Sequence, residues 1–406
     1  MNRWRPLFLV AVLVVACRGA SPSAQAVSDR QLGALVDSLL PVVSKATGLA
    51  FKATPRSAIR TREQIHAYLI AKMARELPPA KLEGIAATYR LLGMLPDSVD
   101  LRQLFLDLYT EQIAGFYDPD STTFFAIQGT DPAQLRLVLA HELVHALQGQ
   151  YLALDSILRD STNADRQSAA QAVLEGQATL VSLVVMAPGM DIVNNDGFWA
   201  TFRDQLEQQQ TGTTVYARAP MVIREELTFP YVAGADFMRW YDKNHPGTVP
   251  FNTAMPQSTE QILHSDRYAA GERPVRVRFT DDTAGVIFDD TFGEFDIDLL
   301  RAVVVGATSP RTDPAIGWAG DRLRVYRSPA GPALVWVTTW DAPRFALQFH
   351  DQIATPLASH HRPGYRIAVD TLPGSTRPTV RVVVAPTGWA RWTSLPRAQI
   401  EAPTGQ

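Results

Sequence analysis

The sequence predicts an α+β protein in which a mainly helical unit carrying a short strand is followed by a smaller β-rich unit. Three observations predict it. Apolar residues recur at helical spacing as far as about residue 270, and alternating β-branched runs dominate after it. The roughly 390 residues that follow an N-terminal leader also exceed what one compact core holds.

The leader comes first. Asn2-Arg3-Trp4-Arg5 is basic, Pro6 to Ala16 is apolar, and Val14-Val15-Ala16-Cys17 has the form of a lipobox. Residues 1–16 are thus expected to be a signal peptide, and Cys17 an acylated N-terminus followed by a linker over 17–28. The protein is then exported and anchored to a bacterial membrane, on the periplasmic side of an outer membrane where there is one. Cys17 is the single cysteine, so the mature chain has no intramolecular disulfide. Cleavage after Ala24-Gln25-Ala26 would instead release a soluble protein. An uncleaved anchor is disfavoured, because about 11 apolar residues fall well short of the ~20 needed to span a bilayer. No later apolar run reaches that length, the longest being Leu180 to Ala187. Removing Arg3 and Arg5 leaves 36 basic against 41 acidic residues, a net of −5, and no basic tract points to nucleic acid.

Helices are expected over Asp29–Lys45, Arg62–Leu77, Lys81–Leu92 and Leu101–Ala114, from their 3.6-residue apolar spacing. Tyr117-Asp118-Pro119-Asp120-Ser121 is turn chemistry, and Thr122-Thr123-Phe124-Phe125-Ala126-Ile127 is a β-branched and aromatic strand. Asp131-Pro132 then supplies an N-cap and a first-turn proline for a strongly apolar helix through Leu147.

Within that helix lies His141-Glu142-Leu143-Val144-His145. An HExxH pattern puts two imidazoles one turn apart on one helix face, where both can reach one Zn²⁺ ion, and sets Glu142 beside them as a general base for water in the ion's open position. Catalytic zinc takes three protein ligands. The extended metzincin pattern would need glycine at 148 and histidine at 151, and those positions hold Gln148 and Tyr151. The third ligand is expected to be Glu175, in the apolar run Ala172-Val173-Leu174-Glu175-Gly176-Gln177-Ala178, where an unpaired carboxylate would be costly to bury. The small Gly176 and Ala178 would let this helix approach the HExxH helix. Asp155, Asp160 and Asp165 are weaker rivals in or beside a polar connection.

These residues resemble the gluzincin clan of zinc metallopeptidases, in which HExxH is followed by a glutamate on the next helix. Gly115 to Asp120, His141 to Gln148, Leu174 to Thr179 and Ser258 to His264 are also similar to uncharacterised bacterial envelope proteins of that clan. The resemblance covers scattered blocks between about residues 100 and 270. It implies a zincin-like metallopeptidase domain over 29–270, peptide-bond hydrolysis, and a peptide or protein substrate. It also implies that the 122–127 strand lines the cleft as an edge for an extended peptide; an ordinary core strand is the other reading. One departure stands out. Many gluzincins carry an aspartate four residues after the glutamate, to orient the first histidine, and here that position is Thr179, whose hydroxyl can accept a ring N–H.

A further helix is expected over Tyr231–Lys243. Tyr231 at its start and His264, after the turn begun by Ser258-Thr259-Glu260, are the candidate donors to a tetrahedral oxyanion. The β-rich unit over 271–406 is read from Val275–Phe279, Leu323–Arg327, Ala333–Thr338, Tyr365–Val369 and Val380–Val384, punctuated by Gly317–Asp321 and Pro373-Gly374. No chemistry is visible in it. A non-catalytic envelope lipoprotein with a structural zinc is the alternative function, and the sequence carries no signal of cleavage preference or oligomeric state.

Overall fold

The computed structural model describes residues 27–153, 163–209, 214–307, 317–359 and 362–401. The leader, Cys17, Asp155 and Asp160 lie outside them.

The chain opens with α1 (Asp29–Thr47), whose Ser28 forms a capping box with Gln31, and β1 (Arg56–Arg60). Next come α2 (Arg62–Glu76), α3 (Pro79–Leu91), α4 (Leu101–Gln112), β2 (Gly115–Asp118) and β3 (Thr123–Ile127). These three strands form one sheet in the order β1-β3-β2, β1 parallel and β2 antiparallel to β3. The strand expected at an edge is therefore the central one. Phe124, Ala126 and Ile127 bury against the helices on its flank, and the edge nearest the HExxH helix is β2.

The long helices follow: α5 (Pro132–Tyr151), α6 (Ala164–Met186), α7 (Asp196–Gln209), the short α8 (Val215–Arg218) and α9 (Met221–Asn244). α9 starts ten residues before Tyr231 and carries Pro230 in its interior. A proline there forfeits one backbone bond and normally ends a helix, which is why the sequence suggested a start after it; packing along α6 outweighs that loss. α6 is long and apolar enough to cross a membrane by length and composition, contrary to the expectation that no later run would be, but it is largely buried inside the protein.

Two short helices, α10 (Thr259–Leu263) and α11 (Ser265–Ala269), lead to β4 (Arg276–Phe279), β5 (Val286–Asp290) and α12 (Gly293–Val304). β6 (Trp318–Tyr326), β7 (Ala333–Trp340), α13 (Pro343–Phe349), α14 (Thr355–Ser359), β8 (Tyr365–Asp370), β9 (Thr379–Pro386) and β10 (Ala398–Glu401) complete the chain. Five strands form an antiparallel sheet in the order β5-β6-β7-β9-β8, while β4 and β10 pair as a separate ribbon. The architecture is α+β, a mostly helical N-terminal part and then a β-rich unit. Gly317–Asp321 does not punctuate strands as expected: β6 begins at the fully buried Trp318 and continues through a bulge before Gly320.

One apolar cluster joins α2, α6 and α9 to the five-stranded sheet, with Ile65, Val173, Phe237, Trp336 and Val384 among its members. A second, smaller cluster holds α5 between α1 and β3 through Leu32, Leu39, Phe124, Leu139 and Leu143.

Candidate metal centre

α5 is fixed at its start by Asp131, which accepts the Ala133 and Gln134 N–H groups at 2.9 and 3.2 Å. Two turns on, helical spacing aims His141 and His145 at α6, and neither has any exposed surface. Glu175 meets them from α6. Its Oε2 lies 3.0 Å from His141 Nε2 and 3.3 Å from His145 Nε2, and the two ring nitrogens are 3.0 Å apart.

That triangle does not satisfy itself by hydrogen bonds. Two Nε2–H groups would point donor at donor across 3.0 Å, and one Nε2–H cannot serve both neighbours well. A small cation resolves the conflict, since an ion with bonds of about 2.0–2.1 Å places tetrahedral ligands roughly 3.3 Å apart. His141, His145 and Glu175 thus form a buried His-His-Glu group that could hold a metal ion. The carboxylate's second oxygen, Oε1, is buried without a hydrogen-bond partner among the described residues.

A surrounding layer positions His145 and Glu142. His145 Nδ1 lies 2.8 Å from Gln148 Oε1, while Gln148 Nε2 donates to Leu174 O and Gln177 Oε1, both at 2.9 Å. With its amide nitrogen so committed, Gln148 presents oxygen to the ring, which fixes the proton on Nδ1 and leaves Nε2 for the metal. Sequence reasoning used Gln148 only to reject another pattern. Its signal was there: a polar residue three positions after the second histidine, in an otherwise apolar helix. Glu142 is 1% exposed, and its Oε2 accepts the Tyr117 N–H from β2 at 2.7 Å, while its Oε1 has no hydrogen-bond partner among the described residues.

The bond that the Thr179 hydroxyl could have offered His141 is not formed: among the described residues, the Thr179 hydroxyl and His141 Nδ1 are both buried without a hydrogen-bond partner. Gly176 also does something other than expected: a Cβ there would lie 2.2 Å from the Gly234 carbonyl carbon, so its smallness admits α9 rather than α5. Gly234 in turn faces Ala172 O at 2.1 Å from where a Cβ would stand. This crossing brings Tyr231, one turn before Gly234, against His141, the ring centroids 6.0 Å apart at 27°. His264 sits elsewhere in contact terms, its Nε2 2.8 Å from Glu294 Oε1 on α12. Asp165 is buried, but it accepts the Thr259 N–H at 2.8 Å and is not part of the His-His-Glu group.

Burial is the largest influence on each ionisable group here, with different outcomes. It pushes Glu142 up to about 8 and lowers His141. For His145 the charge and hydrogen bond of Glu175 outweigh burial and carry it up to about 9. Glu175 is held down at about 2, against its own burial, by His145 and His141. Without an ion the charge is therefore carried by a His145–Glu175 pair, and an incoming cation displaces the proton.

Residues 264–389 match the model of a domain of unknown function, DUF8575. The match spans His264 and the five-stranded sheet and excludes His141, His145 and Glu175. No curated protein and no solved structure matches the chain.

Proposed function

We propose that the chain is a zinc-dependent peptidase that uses a promoted-water reaction at the bacterial cell envelope. The observation that carries this reading is the junction of a His-His-Glu group with a neighbouring glutamate: His141, His145 and Glu175 converge within 3.3 Å, and Glu142 Oε1 is buried with no hydrogen-bond partner among the described residues. An N₂O ligand set suits zinc and leaves a fourth position open, and zinc so held supplies Lewis acidity and a nucleophilic water near neutral pH.

The chain's own residues do the rest. Glu142, fixed by the Tyr117 N–H at Oε2, accepts the water's proton at Oε1 and returns it to the leaving amine. Its raised affinity for protons suits both halves of that exchange. Tyr231, whose ring stacks beside His141, is the better placed oxyanion donor of the two, because His264 contacts Glu294 on α12 instead of the histidine pair. The substrate is a peptide or protein, and Cys17 tethers the enzyme to the membrane through an acyl chain. Detergent partitioning of the protein expressed with its own leader, lost in Cys17→Ser, checks the tether; a mature N-terminus at Val27 would contradict it.

A non-catalytic metalloprotein is the second reading, and enclosure favours it: the two histidines are fully buried, and Glu142 and Glu175 are 1% and 2% exposed. Hydrolysis of a mixed peptide library by the zinc-loaded protein, abolished by a chelator and restored by zinc, decides for the peptidase. No cleavage at full zinc occupancy decides for the other.

A further inference from the structure

A cavity of about 120 Å³ lies where α3, α6, α9 and α12 meet β5. A single water needs only about 10–15 Å³ of such space, so a small organic molecule fits. None of the residues lining it belongs to the His-His-Glu group.

The walls are aromatic. Phe229 and Phe295 stack with their ring centroids 4.0 Å apart, and Phe105, Phe288 and Phe292 extend the enclosure. The polar end is acidic: Glu226 on α9, Asp290 on β5 and Asp296 on α12 line it, and Lys81 is the one basic residue beside them.

The three carboxyls are not equally engaged. Asp290 accepts the N–H groups of Ala164 and Thr291 at 2.7 and 2.9 Å, and the charge of Lys81 acts on it. Glu226 Oε1 accepts the Tyr89 hydroxyl. Asp296 differs. It is 9% exposed, and its Oδ1 is buried with no hydrogen-bond partner among the described residues. A buried acceptor left unpaired is costly. A metal does not account for it, because Glu226, Asp290 and Asp296 do not converge as the His-His-Glu ligands do.

An ammonium group meets both halves of this cavity. Its N–H groups suit carboxylate oxygens, and aromatic faces attract its charge. An apolar chamber with a few convergent polar groups is also the usual form of a small-molecule site. We infer that this cavity binds a small organic ammonium ion, with Asp296 and Glu226 accepting its N–H groups and the phenylalanine rings enclosing its carbon body. The inference does not rest on the peptidase reading.

The carboxyls' protonation gives the binding a signature. Burial raises both Glu226 and Asp296, and the charge of Glu226 raises Asp296 further, with Asp165 on α6, Asp321 on β6 and Asp290 adding to it. A cation favours their ionised forms, so its entry releases a proton.

Calorimetry and ligand-observed NMR on the full mature chain test this, with phenethylammonium and n-hexylammonium as probes and phenethyl alcohol and n-hexanol as their neutral counterparts. The ammonium ions should bind at least about tenfold more tightly than the alcohols, and more tightly as pH rises, because a carboxyl proton must leave. Asp296→Asn and Glu226→Gln should each weaken ammonium binding at least about tenfold while the circular dichroism stays that of wild type. Glu226 is only partly buried, so Glu226→Gln decides if Asp296→Asn fails to fold. Binding of neither ammonium ion, equal binding of the alcohols, or unchanged binding in the folded variants overturns the inference.

Discussion

Gln148 and His145 are joined one turn apart on the same helix, the amide oxygen 2.8 Å from Nδ1 and the amide nitrogen anchored to α6 at Leu174 O and Gln177. This link couples the histidine's tautomer to the packing of the two helices that carry the His-His-Glu group. Gln148→Leu keeps the side chain's bulk but removes the acceptor, and it should lower zinc affinity by roughly 10–100-fold, the usual cost of losing an outer-shell partner. Competition with a chromophoric chelator measures it, and unchanged affinity would show that Gln148 does not orient the ring.

The α6–α9 crossing should tolerate no added atom. In Gly234→Ala the new Cβ would sit 2.1 Å from Ala172 O, a backbone atom that cannot swing aside. Overpacking of this kind costs about 1–3 kcal/mol and sometimes more. Gly33→Ala in α1, where a Cβ meets nothing within 4 Å, serves as the comparison and should be stabilising by roughly 0.5–1 kcal/mol. Urea midpoints of the two variants should therefore move in opposite directions.

Asp165 gives the fold a pH dependence of known sign. Burial raises its carboxyl to about 8 despite the two bonds from Thr259, whereas an unfolded aspartate titrates near 3.9. The folded state thus binds the proton more tightly than the unfolded one. The associated stability is complete below about pH 4 and is lost progressively as pH rises through 8, at a slope of at most about 1.4 kcal/mol per pH unit for one group. Asp165→Asn should flatten the denaturation midpoint across that window. A midpoint with the same pH slope in wild type and variant would contradict the assignment.

Much of the His-His-Glu group was legible because its spacing is local. His141, Glu142 and His145 need only a helix, and the apolar run with the Asp131 cap announces one. Glu175 could be read because a lone carboxylate in an apolar helix needs a partner. What surrounds them could not be read, because it depends on which helices touch: Gly176 admits α9, Thr179 makes no bond to His141 Nδ1 among the described residues, and Tyr117 reaches Glu142 from an edge strand read as turn. The same limit explains the β-rich unit. Its alternating strands at Ala333–Trp340 and Thr379–Pro386 are visible one by one, whereas the ribbon of β4 with β10 exists only once two distant stretches of chain meet. β5 and α12 were missed; in α12 the polar residues Glu294, Asp296 and Asp298 mask a helix that is in fact mostly buried.

The most direct test of the peptidase reading compares wild type with Glu142→Gln, measuring bound zinc and peptide hydrolysis on the same preparations. The amide fills the same space and can still receive the Tyr117 N–H through its oxygen, but it cannot take up a proton. Both proteins should hold about one zinc per chain, with hydrolysis falling by at least about 10²–10⁴-fold in the variant. Equal hydrolysis by the two at equal zinc content would contradict the role of Glu142, and no hydrolysis by either would leave the His-His-Glu group a structural metal site.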